Sequence, residues 1–178
     1  DMLKCFFSNR YAGRTELFEG LSVWQEEKYR SLQGSYPVIY LTFADIKADS
    51  YEDSKNSIIA VINEAYQAHR YLLESDAVTD GEKNLFKAFD EYTNNSDSDK
   101  EIANEVVFRS LKVLSDCLCR YYNKKVIILL DEYDTPMQEA YIHGYWDRFT
   151  GFIRSFLNAT FKTNACLERG IMTGITRV

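Results

Sequence analysis

Apolar positions along the chain follow two rhythms. Val107, Leu111, Leu114, Leu118 and Tyr121 recur at offsets of four, three, four and three, which predicts a long amphipathic helix over residues 101–122. Asn123 is suited to close it in a left-handed cap, and Lys124-Lys125 set positive charge at its negative end. Directly after, Val126-Ile127-Ile128-Leu129-Leu130 is uninterrupted and bounded by charge. Such a run needs burial on both faces, the environment of a parallel strand in an α/β sheet. Residues 36–43, Tyr-Pro-Val-Ile-Tyr-Leu-Thr-Phe, predict a second buried strand, with Pro37 at its start where a missing ladder donor is tolerated. A short third strand is predicted over 170–175, and further helices over 57–73 and 146–161.

On the first of these helices Ile58, Ile62, Ala65, His69 and Leu72 share one face, so His69 reads as a satisfied packing histidine. The second carries Phe149, Phe152, Ile153, Phe156 and Leu157. Met2, Leu3, Phe6 and Phe7 repeat at helical spacing with Lys4 facing away, so the chain opens inside a helix; the expectation is a fragment whose earlier elements have been removed. Residues 9–13 are turn-prone. Strand, helix, helix, strand, helix, strand indicates a three-layer α/β architecture: a parallel sheet, flanking helices and right-handed crossovers.

Size and composition refine this picture. A chain of 178 residues and 20.7 kDa is expected to form one core, and 46% apolar with 15% aromatic residues excludes global disorder. The formal net charge of -6 is localised, because residues 74–105 hold ten acids and three bases and the rest is close to neutral. That segment, with a short helical piece at 85–89 and a polar loop at 94–99, is expected to be an exposed, solvated insertion. No basic stripe interleaved with aromatics appears, so nucleic acid is not an expected partner. Cys5, Cys117, Cys119 and Cys166 lack paired zinc spacing and read as free buried thiols of a reducing compartment. No stretch approaches the roughly 18 to 20 apolar residues that cross a bilayer, and the expected location is cytoplasmic, with no membrane partner.

The chemistry concentrates at Asp131 and Glu132, directly after the buried run. Ligands of open α/β sheets sit at the carboxyl ends of strands, where two adjacent acids can hold a hydrated magnesium ion and polarise a water. An apolar strand followed by Asp-Glu is the Walker B pattern of P-loop ATPases, in which the Asp orients Mg²⁺ and the Glu activates the attacking water. The alternative is that the pair ends a strand and begins a solvated loop, capping a turn before Pro136. Asp134 reads either as a further metal-shell acid or as a turn residue before Thr135-Pro136.

Residues 126–137, Val-Ile-Ile-Leu-Leu-Asp-Glu-Tyr-Asp-Thr-Pro-Met, resemble the signature of the AAA-ATPase-like family of bacterial proteins. Met-Leu-Lys-Cys-Phe-Phe at the start, Glu-Leu-Phe-Glu-Gly-Leu at 16–21, the strand at 36–43 and the closing Leu-Glu-Arg-Gly-Ile-Met-Thr-Gly-Ile-Thr-Arg-Val match it in order. The resemblance implies a P-loop NTPase-like (AAA/ASCE) sheet, incomplete at both ends, that binds ATP and Mg²⁺. It makes Asp131 the magnesium-orienting acid, through water, and Glu132 the catalytic acid of Walker B. The strand ending at Thr173-Gly174, with Thr176 and Arg177, becomes the sensor region beside the Walker B strand. Thr173 is then a nucleotide-contacting group and Arg177 the sensor cation, against an alternative in which Arg177 is an ordinary surface arginine.

The departure lies in the phosphate loop. No Gly-x-x-x-x-Gly-Lys-Ser/Thr occurs in the 178 residues, and Gly13-Arg14-Thr15 is a decoy, since Ser8 stands five before Gly13 and the stretch follows a helix. Without that loop's N–H nest and lysine, nucleotide affinity is expected to be poor. The expectation is therefore a partial domain spanning 1–178, beginning after its phosphate loop and ending after its sensor strand, with exposed sheet edges prone to self-association. Its alternative is a protein-interaction scaffold without turnover. Metal-dependent nuclease chemistry from Asp131, Glu132 and Asp134 is disfavoured, because no acid, acid and lysine arrangement on adjacent strands is apparent.

Overall fold

The computed structural model describes residues 2–94 and 102–175. Three parallel strands form the sheet in the order β1 (Val38–Thr42), β2 (Val126–Asp131), β3 (Leu167–Met172), with β2 in the centre. The apolar run thus takes the position its composition requires: Val126 to Leu130 are all at most 5% exposed. The third strand begins three residues before the expected 170–175, because Gly170 runs within the ladder and lets the ring of Phe161 lie against the backbone.

Helices α1 (Met2–Phe7), α2 (Ser22–Gln25) and α3 (Glu27–Arg30) precede β1. Between β1 and β2 run α4 (Tyr51–Ala68), a 3-10 turn (Arg70–Glu74), α5 (Asp80–Asn94) and α6 (Asn104–Tyr122); α7 (Thr135–Ile142) and α8 (Trp146–Phe161) connect β2 to β3. Asn123 closes α6 at φ 47°, as its cap chemistry predicts. Helix α4 starts six residues before the expected 57, since the Ser50 hydroxyl accepts the Asp53 N–H at 3.2 Å and caps it there.

The main core lies on one sheet face, where Ile39, Leu41, Ile128 and Leu130 meet Ile58, Ile62, Leu111, Leu114, Phe149 and Phe156 of the long helices. The other face carries a smaller cluster, Val38, Ile127 and Leu129, against which Phe7, Tyr36, Tyr40 and Ile171 pack, so α1 is the helix contributing to it. The layers are unequal: sheet and flanking helices are present, with one face far better covered.

One expectation needs correction. Residues 74–105 are not simply a solvated excursion, because α5 spans fifteen residues, not five, and places Phe86 and Phe89 against Tyr66 in the main core. Thr79 and Glu82 form a reciprocal cap at its start, with the Thr79 N–H donating to Glu82 Oε2 at 2.8 Å. The polar loop beyond residue 94 and the expected start of α6 at 101 lie outside the described residues. Asp134 stands in a turn, and α7, a helix not expected from the sequence, begins directly after it with Pro136 in its first turn, where proline's missing N–H costs nothing.

His69 is buried as expected, its Nδ1 2.8 Å from the Ala65 carbonyl; burial lowers its pKa to about 4 and keeps it neutral. The cysteines form no disulfide, but only Cys117 is fully buried; Cys5, Cys119 and Cys166 are half-buried. Among the described residues no helix is long and apolar enough to cross a membrane.

Candidate functional site

Asp131 is the last residue of β2 and lies opposite Thr42 of β1. Its half-buried carboxylate is held from both neighbouring strands: the Thr173 hydroxyl, just past β3, donates to Oδ1, and the Tyr40 hydroxyl of β1 donates to Oδ2 at 3.3 Å. Burial, and then the charge of Asp131, raise the Tyr40 pKa, so this phenol stays a donor. The backbone fixes the same geometry, since Thr173 N–H donates to the Leu130 carbonyl at 3.0 Å and Phe43 N–H to the Asp131 carbonyl at 2.9 Å. A carboxylate tied at both oxygens cannot swing away and still has lone pairs for water or a cation.

Glu132 turns sharply away with φ 51°, a left-handed conformation that costs a residue with a Cβ about 1–2 kcal/mol. Its exposed carboxylate meets only a long contact, the Thr135 hydroxyl at 3.4 Å from Oε2. The Thr135 N–H donates to the Glu132 carbonyl at 3.2 Å, so the turn that strains Glu132 also launches α7. An exposed acid in a strained turn at a strand tip is the kind of outlier found at reactive sites.

Asp134 is a brace. The residue is 1% exposed, and its Oδ2 accepts the Ile175 N–H at 3.0 Å and a Gln138 amide N–H at 3.1 Å, tying the segment after β3 to α7. Gly174 permits this, because a Cβ there would sit 2.5 Å from Asp134 Oδ1. Asp134 therefore serves the turn, as one of its two sequence readings holds.

Beside Asp131 a cavity of about 160 Å³ opens at the carboxyl ends of the strands, lined also by Tyr40, Thr173, Leu3 and Lys4. The first turn of α1 forms one wall, and Lys4 Nζ lies 4.6 Å from the centre of the Tyr40 ring. A larger apolar cavity of about 700 Å³ lies among Phe6, Phe18, Leu21, Tyr29 and Ile127, with Glu168 and Arg169 as its charged groups. Gly13, at φ 81°, sits in a turn, and Arg14 beside it pairs with Glu16.

The structure thus brings Asp131, Glu132 and Thr173 to one strand-tip region, while Thr176 and Arg177 lie outside the described residues. Sequence reasoning missed Tyr40 and Lys4. Tyr40 reads as an ordinary strand aromatic, and only its register, two residues before Thr42 opposite Asp131, marks it. Among the described residues no group of three or more His, Cys, Asp or Glu side chains converges to hold a metal.

No curated protein and no solved structure matches the chain. Over residues 1–178 the sequence matches the AAA-ATPase-like family, described as predicted AAA-ATPase, and the chain belongs to that family.

Proposed function

We propose that this chain is part of an ATP-binding and ATP-hydrolysing domain, with Asp131 and Glu132 as its Walker B acids and Thr173 in its sensor region. One observation carries this reading: the Asp131 carboxylate, at the tip of the central parallel strand, is fixed by Thr173 from the next strand and faces a cavity walled by α1. Family membership supports it independently.

The oxygen donors suit a hard divalent cation, since Asp131 offers a carboxylate and Thr173 a hydroxyl at the cavity. One protein carboxylate, with no third ligand among the described residues, matches magnesium held mainly through water and phosphate oxygens. Asp131 would hold that ion through water. Bound there, magnesium would supply charge neutralisation for a triphosphate. Glu132, exposed and free of strong partners, would accept the proton of the attacking water, a role typically contributing about 10² to 10⁴ in rate. Tyr40 and Thr173 orient Asp131. Arg177 keeps the sensor role that the resemblance implies.

The 178 residues contain no phosphate-binding Gly-Lys-Ser/Thr segment, so alone they are expected to bind nucleotide weakly. The test is phosphate release by a version extended upstream through that segment, beside Glu132→Gln in the same background. Turnover is expected to fall by roughly 10² or more in the variant; equal turnover in the two would remove Glu132 from the chemistry. The absence of a Gly-Lys pair in these residues sustains a second reading, a scaffold without turnover. An extended version that neither binds nor hydrolyses ATP would favour it. At the protein level, the outer edge of β3 offers self-association as a further property of this chain.

A further inference from the structure

Lys4 and Asp131 are the charged residues lining the cavity at the strand tips, and hydroxyl groups engage only Asp131. The backbone fixes where Lys4 stands. Its carbonyl accepts the Ser8 N–H at 3.0 Å, while the Phe6 and Phe7 carbonyls accept the Gly34 N–H at 2.7 Å and the Tyr36 N–H at 2.9 Å, so α1 is tied to the segment that enters β1. Gly34, at φ 63°, permits this closeness, because a Cβ there would collide with the Ala12 backbone. Helical spacing turns Lys4 away from the buried Phe6, and its Nζ lies 4.6 Å from the centre of the Tyr40 ring. Tyr40 thus serves two charges at once: its hydroxyl donates to Asp131 Oδ2 at 3.3 Å, and its ring face receives the ammonium. The two charges are kept apart. Among the described residues Lys4 forms no ion pair, neither with Asp131 nor with Glu64, which shares with it a neighbouring cavity of about 270 Å³. A ring face takes none of the three ammonium N–H donors in a directed bond, so a half-buried cation stands beside the tethered acid with its donors unused.

We propose that Lys4 is a phosphate-binding residue: its ammonium donates to an oxygen of the polyphosphate whose magnesium Asp131 orients through water. This rests on the nucleotide reading of Asp131 and adds to it a cation from α1, distinct from the Gly-Lys-Ser/Thr segment that the sequence lacks. An acid and a base held apart suit a ligand that is itself divided into a divalent cation and phosphate oxygens, whereas an ion pair between them would satisfy both internally. The size of the cavity agrees. About 160 Å³ is below the roughly 300–1,000 Å³ of pockets that enclose a whole drug-sized ligand, so it suits a phosphate group with its waters and not a base with its sugar. Leu3, Leu129 and Ile171 in its walls exclude water from part of the site, which strengthens a charged contact made there. Tyr40 is then the positioning residue for both charges.

The test measures binding of magnesium tripolyphosphate to the folded 178-residue chain, and of MgATP to the upstream-extended version, by isothermal titration calorimetry. Lys4→Met should weaken both by roughly tenfold to a hundredfold, the loss of one charge-assisted hydrogen bond, and should flatten their dependence on salt concentration. Lys4→Arg, which keeps the charge, should restore most of the affinity. Tripolyphosphate should also protect Lys4 from amine acetylation, read by mass spectrometry of the digest, which a lysine that only packs on Tyr40 would not show. Asp131→Asn should reduce the magnesium dependence instead. Circular dichroism verifies that each variant folds. An extended version that binds no MgATP would overturn the nucleotide reading and this contact together. Wild-type binding whose magnesium dependence falls in Asp131→Asn, with Lys4→Met equal to wild type and Lys4 unprotected, would overturn the Lys4 contact alone.

Discussion

Glu132 pairs its strained backbone with an exposed carboxylate, and these two properties can be separated by substitution. Glycine tolerates φ 51° without the Cβ clash, so Glu132→Gly should raise the unfolding free energy by about 0.5–1 kcal/mol, read from urea midpoints. The same change should remove turnover in the upstream-extended version. A less stable glycine variant would mean that the turn is not held against local preference. His69 supplies a second residue-scale prediction. Its folded-state pKa of about 4 lies below the ordinary 6.5, so between these values the unfolded chain binds the extra proton. Stability should therefore fall as the pH drops from about 6.5 towards 4, by up to about 3 kcal/mol from this group. His69→Gln should flatten that part of the urea-midpoint profile against wild type; parallel profiles would show that His69 titrates normally. The carboxylates contribute to both profiles alike, so the difference isolates the imidazole.

At the scale of elements, the sequence announced what periodicity and burial determine. The five-residue apolar run became the central strand, the Val107-to-Tyr121 stripe became α6 with its Asn123 cap, and α8 occupies 146–161 as expected. What escaped was set by capping and by contacts distant in sequence. Ser50 with Asp53 and Thr79 with Glu82 start α4 and α5 earlier than their apolar residues suggest, and Pro136 sits in the first turn of α7, a helix that no apolar periodicity announced. Composition hid the role of residues 74–105 most completely, since ten acids obscure two phenylalanines facing Tyr66. Phe89, fully buried, tests that correction: Phe89→Ala should cost about 3–5 kcal/mol in chemical denaturation, as a core cavity does. A cost below about 1 kcal/mol would restore the picture of a dispensable excursion. The site divides the same way. Asp131 and Glu132 were legible because they follow a buried strand, whereas Tyr40 depended on β1 lying beside β2 in a particular register, which no local pattern encodes.

Across the whole molecule, the two edges of the sheet differ. The first strand's edge is flanked by α1 and its following turn: the Asn9 N–H donates to the Tyr36 carbonyl at 2.8 Å, and Ser8 bridges Tyr36 in parallel. The third strand has no such cover among the described residues, and four of its six residues are exposed. Thr173 N–H points inward to Leu130, so alternation turns the backbone groups of Gly170 and Met172 outward. Unpaired edge groups of this kind template strand addition, and Met172, 41% exposed, adds apolar surface beside them. The isolated chain should therefore associate reversibly with rising concentration, its sedimentation departing from the 20.7 kDa of one copy. A lysine on an edge strand opposes pairing through charge and desolvation, and Met172→Lys should weaken the association while leaving the circular dichroism spectrum unchanged. The contact would occupy the edge of the strand that leads to Thr173, so an upstream extension that restores nucleotide binding by covering this edge should suppress association in parallel. Wild-type chain that stays at one copy throughout, or association untouched by Met172→Lys, would place the open edge outside the contacts this molecule makes.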